Sequence, residues 1–293
     1  MSKILVTGAT GHLGKAVTEF LLQKTDAASI RLLVRDAAKA ENFRSKGVEI
    51  ASGDYNDHTS LVQAFKDVDK LYLVSGTDIE NRSDQQENVI NAAKEAGVKH
   101  VLYTSVQHKS ESAQSPIAFV ANSHLHTEKV LKASGLTYTM LQHNLYADII
   151  PMFAGEKLLE TKRIYLPAGN GKTAFATRAD MAEAGAVVLL DKTGKYENKS
   201  IQIGGSEAVS WEEIAAIISN LTGETITYVS PTAADFTATL TQANVPAEYI
   251  SIFTGFGLGV SEGEFDVVSG ELESLLGRKP ETVEAYLHGV YGK

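Results

Sequence analysis

Cysteine is absent from all 293 residues of the chain. Disulfides, thiolate catalysis and Cys-ligated metal are excluded with it, and the composition suits a reducing cytoplasm. A basic cluster is also missing. The formal net charge is -9, which argues against nucleic acid or an anionic membrane surface as a partner. Apolar runs are short: Ala184–Leu190 is the longest useful one, far below the roughly 20 residues that a membrane-spanning helix needs. Met1-Ser2-Lys3 leads straight into a strand pattern, so no signal peptide is expected and a cytoplasmic location is. Internal repeats, low-complexity tracts and long linkers do not occur. What remains is an ordinary globular composition, 43% hydrophobic and 22% charged, in a chain long enough for one large domain or two modest ones.

The most informative stretch is Ile4-Leu5-Val6-Thr7-Gly8-Ala9-Thr10-Gly11-His12-Leu13-Gly14. An apolar run reads as a buried parallel strand, and a Gly-rich turn then opens an amphipathic helix carrying Ala16, Val17, Phe20 and Leu21. Gly8 suits the tight turn, Gly11 a close approach of backbone to a pyrophosphate, and Gly14 close packing of helix on strand. The helix N-terminus would point its free N–H groups at that phosphate. Spaced glycines alone would also fit a bare structural turn. The strand before, the helix after, and a second strand ending about twenty residues on favour a dinucleotide site.

Strand and helix patterns alternate through the first half. Strand-like runs follow at Ile30–Val34, Val48–Ala51, Leu71–Val74, Val101–Thr104 and Tyr138–Leu141, with helical patterns at Ala37–Arg44, Ser60–Phe65, Asp84–Ala96 and Ser123–Ala133. Gly97 and Gly135 stand where C-caps belong. This predicts an α/β fold with a Rossmann-type, doubly wound parallel sheet, whose ligands sit at the carboxyl ends of the strands. Beyond about residue 150 glycines and prolines break the rhythm. Thr177 and Asp180 have capping-box spacing, as do Ser210 and Glu213, and Ser200–Ile203 and Thr225–Val229 are further strand patterns. The expected organisation is a dinucleotide-binding domain over 1–150 and a smaller, helix-rich, substrate-covering lobe over 151–293.

Candidate binding residues lie just after each strand. Arg35 precedes Asp36 after the second strand, with Lys39 one turn further. An acidic residue there suits the ribose hydroxyls of NAD, and Arg the 2′-phosphate of NADP. The pattern favours NADPH over NADH, with a solvated charge cluster as the plain alternative. Asp54 and Tyr55 follow the third strand, beside the expected adenine, where Asp54 is equally a helix cap. Ser75 and Gly76 follow the fourth and would line the nicotinamide ribose, or make a simple turn.

The fifth strand ends Tyr103-Thr104-Ser105. In short-chain dehydrogenases a serine here helps bind the substrate carbonyl, and a Tyr-x-x-x-Lys pair on the next helix supplies the proton. With the helix anchored on Thr127-Glu128, the tyrosine position falls on Val120 and the lysine position on His124. The usual acid is absent. His124 and His126 are two apart on a helix and point to different faces, so no metal pair is expected. His124 either touches the ribose in place of lysine or is a plain helix histidine. After the sixth strand, Gln142-His143-Asn144-Leu145-Tyr146 falls near the expected nicotinamide. His143 is a further candidate acid, Asn144 a cofactor contact, and Tyr146 either a stacking surface for a flat substrate or a core aromatic.

The chain resembles the NmrA-like family of atypical short-chain dehydrogenases, and within it the quinone oxidoreductases and triphenylmethane reductases. Val6-Thr7-Gly8-Ala9-Thr10-Gly11 with Leu13-Gly14, Val34-Arg35 with Ala38-Lys39-Ala40, Gly53-Asp54-Tyr55, His124-x-x-Thr127-Glu128-Lys129 and Ala176-Thr177-Arg178-Ala179-Asp180 carry the likeness. So do Gly204-Gly205-Ser206, Ala234-Asp235-Phe236 and Gly263-Glu264-Phe265-Asp266. Loss of the Tyr and Lys is typical of the group; Gln142, where relatives carry Arg, departs from it. The resemblance implies hydride transfer from NADPH to a quinone or another flat aromatic electrophile. Such an acceptor becomes a weakly basic hydroquinone anion, or an uncharged dye, and needs no proton donor in the site. The rival implication is a redox sensor that binds dinucleotide without turnover and reports to a protein partner; a homodimer is an open possibility under either.

Overall fold

The computed structural model describes residues 2–109 and 114–292. The chain forms two compact units: Met1–Val106 with Asn122–His143 and Arg178–Gln202, and Gln107–Ala121 with Asn144–Thr177 and Ile203–Lys293. They interleave along the chain, whereas the sequence reading draws one boundary near residue 150.

The first unit is built on β1 (Ile4–Val6), β2 (Ile30–Val34), β3 (Glu49–Ser52), β4 (Lys70–Leu73), β5 (His100–Val106) and β6 (Thr137–His143). With the strand Lys199–Ile203 they make one seven-stranded sheet, ordered β3-β2-β1-β4-β5-β6 and then Lys199–Ile203. The pairings of the first six are all parallel. Contacts from Ser200 to Met140 and from Gln202 to Gln142 advance together, so the last strand is parallel too. It extends the six-stranded sheet expected from sequence. From β1 the chain winds outward through β2 and β3, then returns to β4 on the other side of β1. That reversal opens a crevice at the carboxyl ends of β1 and β4.

Helices α1 (His12–Lys24), α2 (Glu41–Arg44), α3 (His58–Phe65), α4 (Arg82–Glu95) and α5 (Ala118–Ala133) connect the strands. Side chains cover both faces of the sheet, and Leu71, Tyr72 and Leu73 of β4 are fully buried. Leu5, Leu33, Leu61, Phe65, Val89 and Tyr103 belong to the core cluster, where each large apolar side chain contributes about 1.5–3 kcal/mol on burial. The helix Arg178–Leu190 packs against α1. At Gly185 a Cβ would stand 2.8 Å from the Tyr72 hydroxyl, so the small residue is a packing requirement.

Two differences from the sequence pattern have local causes. The helix expected over 37–44 opens as a tight turn over Ala37–Ala40 and becomes α-helical only at Glu41. The Asp36 carboxylate accepts from the Ala38 N–H at 3.0 Å, which competes with α-helical bonding. Strands β5 and β6 run longer than their apolar stretches because they pair in register from His100↔Thr137 to Val106↔His143.

The second unit holds two small two-stranded sheets: Lys172–Thr173 antiparallel to Val209–Ser210, and Arg163–Tyr165 parallel to Thr227–Val229. The helix Trp211–Thr222 begins in the predicted capping box, with Ser210 and Glu213 exchanging side chain-to-backbone bonds. Phe153 packs edge-on to Phe253 at 4.9 Å and near-parallel to Trp211 at 6.2 Å between ring centres. Among the described residues no helix is long and apolar enough to cross a membrane.

Candidate functional site: a cleft at the sheet's switch point

At the carboxyl ends of β1, β2 and β4 the first unit has a cleft of about 470 Å³. Its walls include Gly8, Thr10 and Gly11 after β1, Arg35 after β2, Asp54 and Tyr55 after β3, and Ser75 and Gly76 after β4. The structure therefore brings these eight sequence-predicted residues together. Asn56, Thr77, Asp78 and Gln85 also line it and were missed, although Thr77-Asp78 directly follow the predicted Ser75-Gly76 turn.

The glycines show why the turn accepts a phosphate. Gly8 has φ of +58°, the left-handed region. Gly14 lies against the turn: a Cβ would run into the Gly8 carbonyl and come within 2.9 Å of the Thr7 oxygen. Helix α1 therefore starts directly over β1. Its N-cap, Gly11, provides no side chain to cap the first turn, and no acidic residue stands there. The open N–H groups and the positive end of the helix dipole face the cleft, where an anion fits. His12 is exposed on that first turn; Leu13 and Gly14 are buried behind it.

Arg35 is exposed on the cleft wall. Asp36 is held by capping Ala38, and neither it nor the exposed Lys39 contributes to the lining. Asp54 accepts from both the backbone and side-chain amides of Asn56, at 2.8 and 2.9 Å. Asp78 accepts from Asn81 and Gln85, and the Asn81 amide holds its carboxyl below the usual range. The Tyr55 hydroxyl lies 2.6 Å from the Thr7 hydroxyl and 2.8 Å from the Val74 carbonyl. Burial pushes its pKa well above the ordinary value. Thr7 Oγ1 also accepts from the Val74 N–H at 2.9 Å, so Tyr55 ties the ends of β1 and β4 together. Ser75 donates its N–H to Thr104 Oγ1 at 2.9 Å, coupling β4 to β5.

The remaining candidates lie elsewhere. The buried Ser105 hydroxyl donates to Glu128 Oε1 at 2.6 Å. Gln142 donates to the same oxygen at 3.1 Å and accepts from Gln202 at 2.6 Å. Gln142, the departure from the family pattern, is thus one strand of a buried polar chain, with Glu128 as its unforeseen hub. His143 is buried at the end of β6, and burial pushes its pKa down to about 3. His124 is buried on α5 beside Tyr103 and Arg82. Asn144 and Tyr146 belong to the second unit. There Asn144 donates to the Phe265 carbonyl at 2.9 Å, and Tyr146 forms a β-bridge with Ala176.

Sequence and structure comparisons agree with this geometry. The NmrA-like family model matches residues 1–287. The chain belongs to the NmrA-like family. This NmrA-like chain is 35% identical over 280 residues to quinone oxidoreductase 2 of Escherichia coli, covering 96% of both chains. The structure of the E. coli NADPH-dependent quinone oxidoreductase with NADPH superposes with a TM-score of 0.92 at 34% identity, over 99% of this chain and 100% of that one. Citrobacter sp. triphenylmethane reductase with NADP(H) gives 0.88 at 32% identity, over 98% and 99%. An NAD(P)H azoreductase of Xenophilus azovorans is 32% identical over 244 residues, 83% of this chain and 82% of its own.

Proposed function

We propose that this NmrA-like protein is an NADPH-dependent oxidoreductase that reduces a quinone or a similarly flat, conjugated electrophile. The glycine turn, the uncapped α1 N-terminus and the Arg35 wall form a cradle that fits a dinucleotide. NADPH bound there supplies the hydride. Gly8, Thr10, Gly11 and the first turn of α1 (His12, Leu13, Gly14) receive the pyrophosphate, and Arg35, helped by Lys39, pairs with the 2′-phosphate. Asp54 and Tyr55 border the adenine, and Ser75 and Gly76 the nicotinamide end.

The observation that supports a conjugated acceptor is that, among the described residues, the sequence-predicted positions offer no available acid. Val120, at the usual tyrosine position, is apolar and buried. Ser105 gives its proton to Glu128. His143 has so low a pKa that it is neutral at physiological pH. A simple ketone would leave a strongly basic alkoxide with nothing to protonate it, while a hydroquinone anion is protonated by water. The residues' work is orientation and exclusion of solvent.

The test follows reduced-nicotinamide absorbance with benzoquinones, naphthoquinones and unconjugated ketones, from about pH 5 to about pH 9. Turnover of quinones with a flat profile of maximal rate, and poor ketone reduction, is expected. Tight NADPH binding with no quinone turnover would instead select the redox-sensor role. A steep loss of rate at high pH, abolished by replacing His143, would show that the site owns an acid.

A further inference from the structure

Behind the cleft, in the first unit, lies a buried polar chain that the reaction does not use directly. Arg82 opens α4 one turn before Gln85, which lines the cleft. Arg82 and His124 are 6% and 5% exposed. Arg82 Nη1 lies 3.3 Å from His124 Nε2, and His124 Nδ1 lies 2.7 Å from the Tyr103 hydroxyl. Gln86 donates to Tyr103 at 3.2 Å and to Thr127 at 2.8 Å. Thr127 donates to the Ser123 carbonyl at 2.7 Å.

The proton positions follow from what each group is able to do. A guanidinium only donates, so His124 Nε2 must accept. A neutral imidazole that accepts at Nε2 carries its proton on Nδ1, which donates to Tyr103. Tyr103 thus accepts from both His124 and Gln86, and its own proton is not offered to either. Thr127 in turn spends its proton on Ser123. An imidazolium would set an N–H against the guanidinium. The direction of the His124–Tyr103 bond is therefore set from the arginine end.

We propose that Arg82 is a positioning residue that holds His124 as its neutral Nδ1–H tautomer and so makes the Tyr103 hydroxyl an acceptor from it. This keeps Tyr103 and His124 from acting as proton donors. This rests on the reading of an acid-free reductase and explains it from the chain's own residues.

Charged and titratable groups contact His124 or stand along the elements that carry its partners. Tyr103 is on β5. Arg82 is on α4, and Asp78, in the loop before it, has its carboxyl partly governed by the Arg82 charge. Glu128 stands one turn along α5, where it holds Ser105. His126, on the same helix, pairs with Glu87 at 2.9 Å.

Long-range 15N–1H correlation spectra of 15N-histidine-labelled full-length protein test this without turnover. With His124 assigned through the backbone, the wild type should show protonated Nδ1 and bare Nε2, unchanged from about pH 5.5 to about pH 8.5. In Arg82→Gln, His124 should accept a proton at Nε2 at a higher pH than in the wild type, and the pH profile of quinone reduction should acquire a limb there. Arg82→Lys should restore the wild-type tautomer, and Arg82→Gln/His124→Gln should lose the new limb. A wild-type Nε2–H tautomer, an imidazolium within that range, or an unaltered His124 in Arg82→Gln would overturn the proposal. If Arg82→Gln does not fold, the wild-type spectrum alone decides. A protein without quinone turnover would defeat the reductase reading and leave the tautomer result intact.

Discussion

Arg35 has the clearest single-residue consequence. Its guanidinium is exposed on the cleft wall while the neighbouring Asp36 carboxylate is engaged in capping. A charge-assisted pair with the 2′-phosphate is worth about 1.5–3 kcal/mol, or about one to two decades of preference. Arg35→Ala should lower the NADPH/NADH ratio of kcat/KM by that factor, and an unchanged ratio would reduce Arg35 to a surface charge. The buried histidines make a second, pH-dependent prediction. Burial lowers the pKa of His143 from 6.5 to about 3 and that of His100 from 6.5 to about 4. The unfolded chain then binds more protons than the folded one below the ordinary value. Their contribution to stability is complete above pH 6.5 and is lost as the pH falls towards about 4 and about 3. Urea midpoints should drop between about pH 7.5 and about pH 5, and the drop should be smaller in His143→Asn.

At the scale of elements, the turn between β1 and α1 separates packing from binding. A methyl at Gly14 would enter the Gly8 carbonyl, whereas one at Gly11 would sit 3.3 Å from that oxygen with the backbone already extended. Gly14→Ala should cost about 1–3 kcal/mol of stability and also weaken NADPH binding, because α1 would be displaced from the cleft. Gly11→Ala should melt near the wild type yet bind NADPH about tenfold more weakly or worse. Equal effects on melting and binding in both variants would show that the two glycines share one role.

At the scale of the whole molecule, the cleft is lined by residues of the first unit alone. NADPH should therefore slow hydrogen exchange first in the backbone around 8–14 and 74–78. At about one hundred times its Kd the cofactor should add about 2.7 kcal/mol to the stability of whatever unfolds with that cleft. Protection confined to the second unit would place the cofactor elsewhere.

The N-terminal glycine turn between strand and helix, the alternation of strands and helices, and the sheet class were all legible in the amino-acid sequence, because these rest on local rules. Gly8 needs a positive φ, a parallel strand buried on both faces is apolar throughout, and Ser210 and Glu213 are three apart as a capping box requires. Arg35 was legible too, since residues at strand ends face the crevice whatever the rest of the chain does. Tertiary structure alone decided where the protons go. Ser105 meets Glu128, and His124 meets both Tyr103 and Arg82, across sequence separations of 23, 21 and 42 residues. No local pattern encodes such partners, and the direction of a hydrogen bond depends on which groups pack together. The interleaving of the two units and the addition of Lys199–Ile203 to the sheet are of the same kind: long-range pairing chose them among patterns that were locally equivalent.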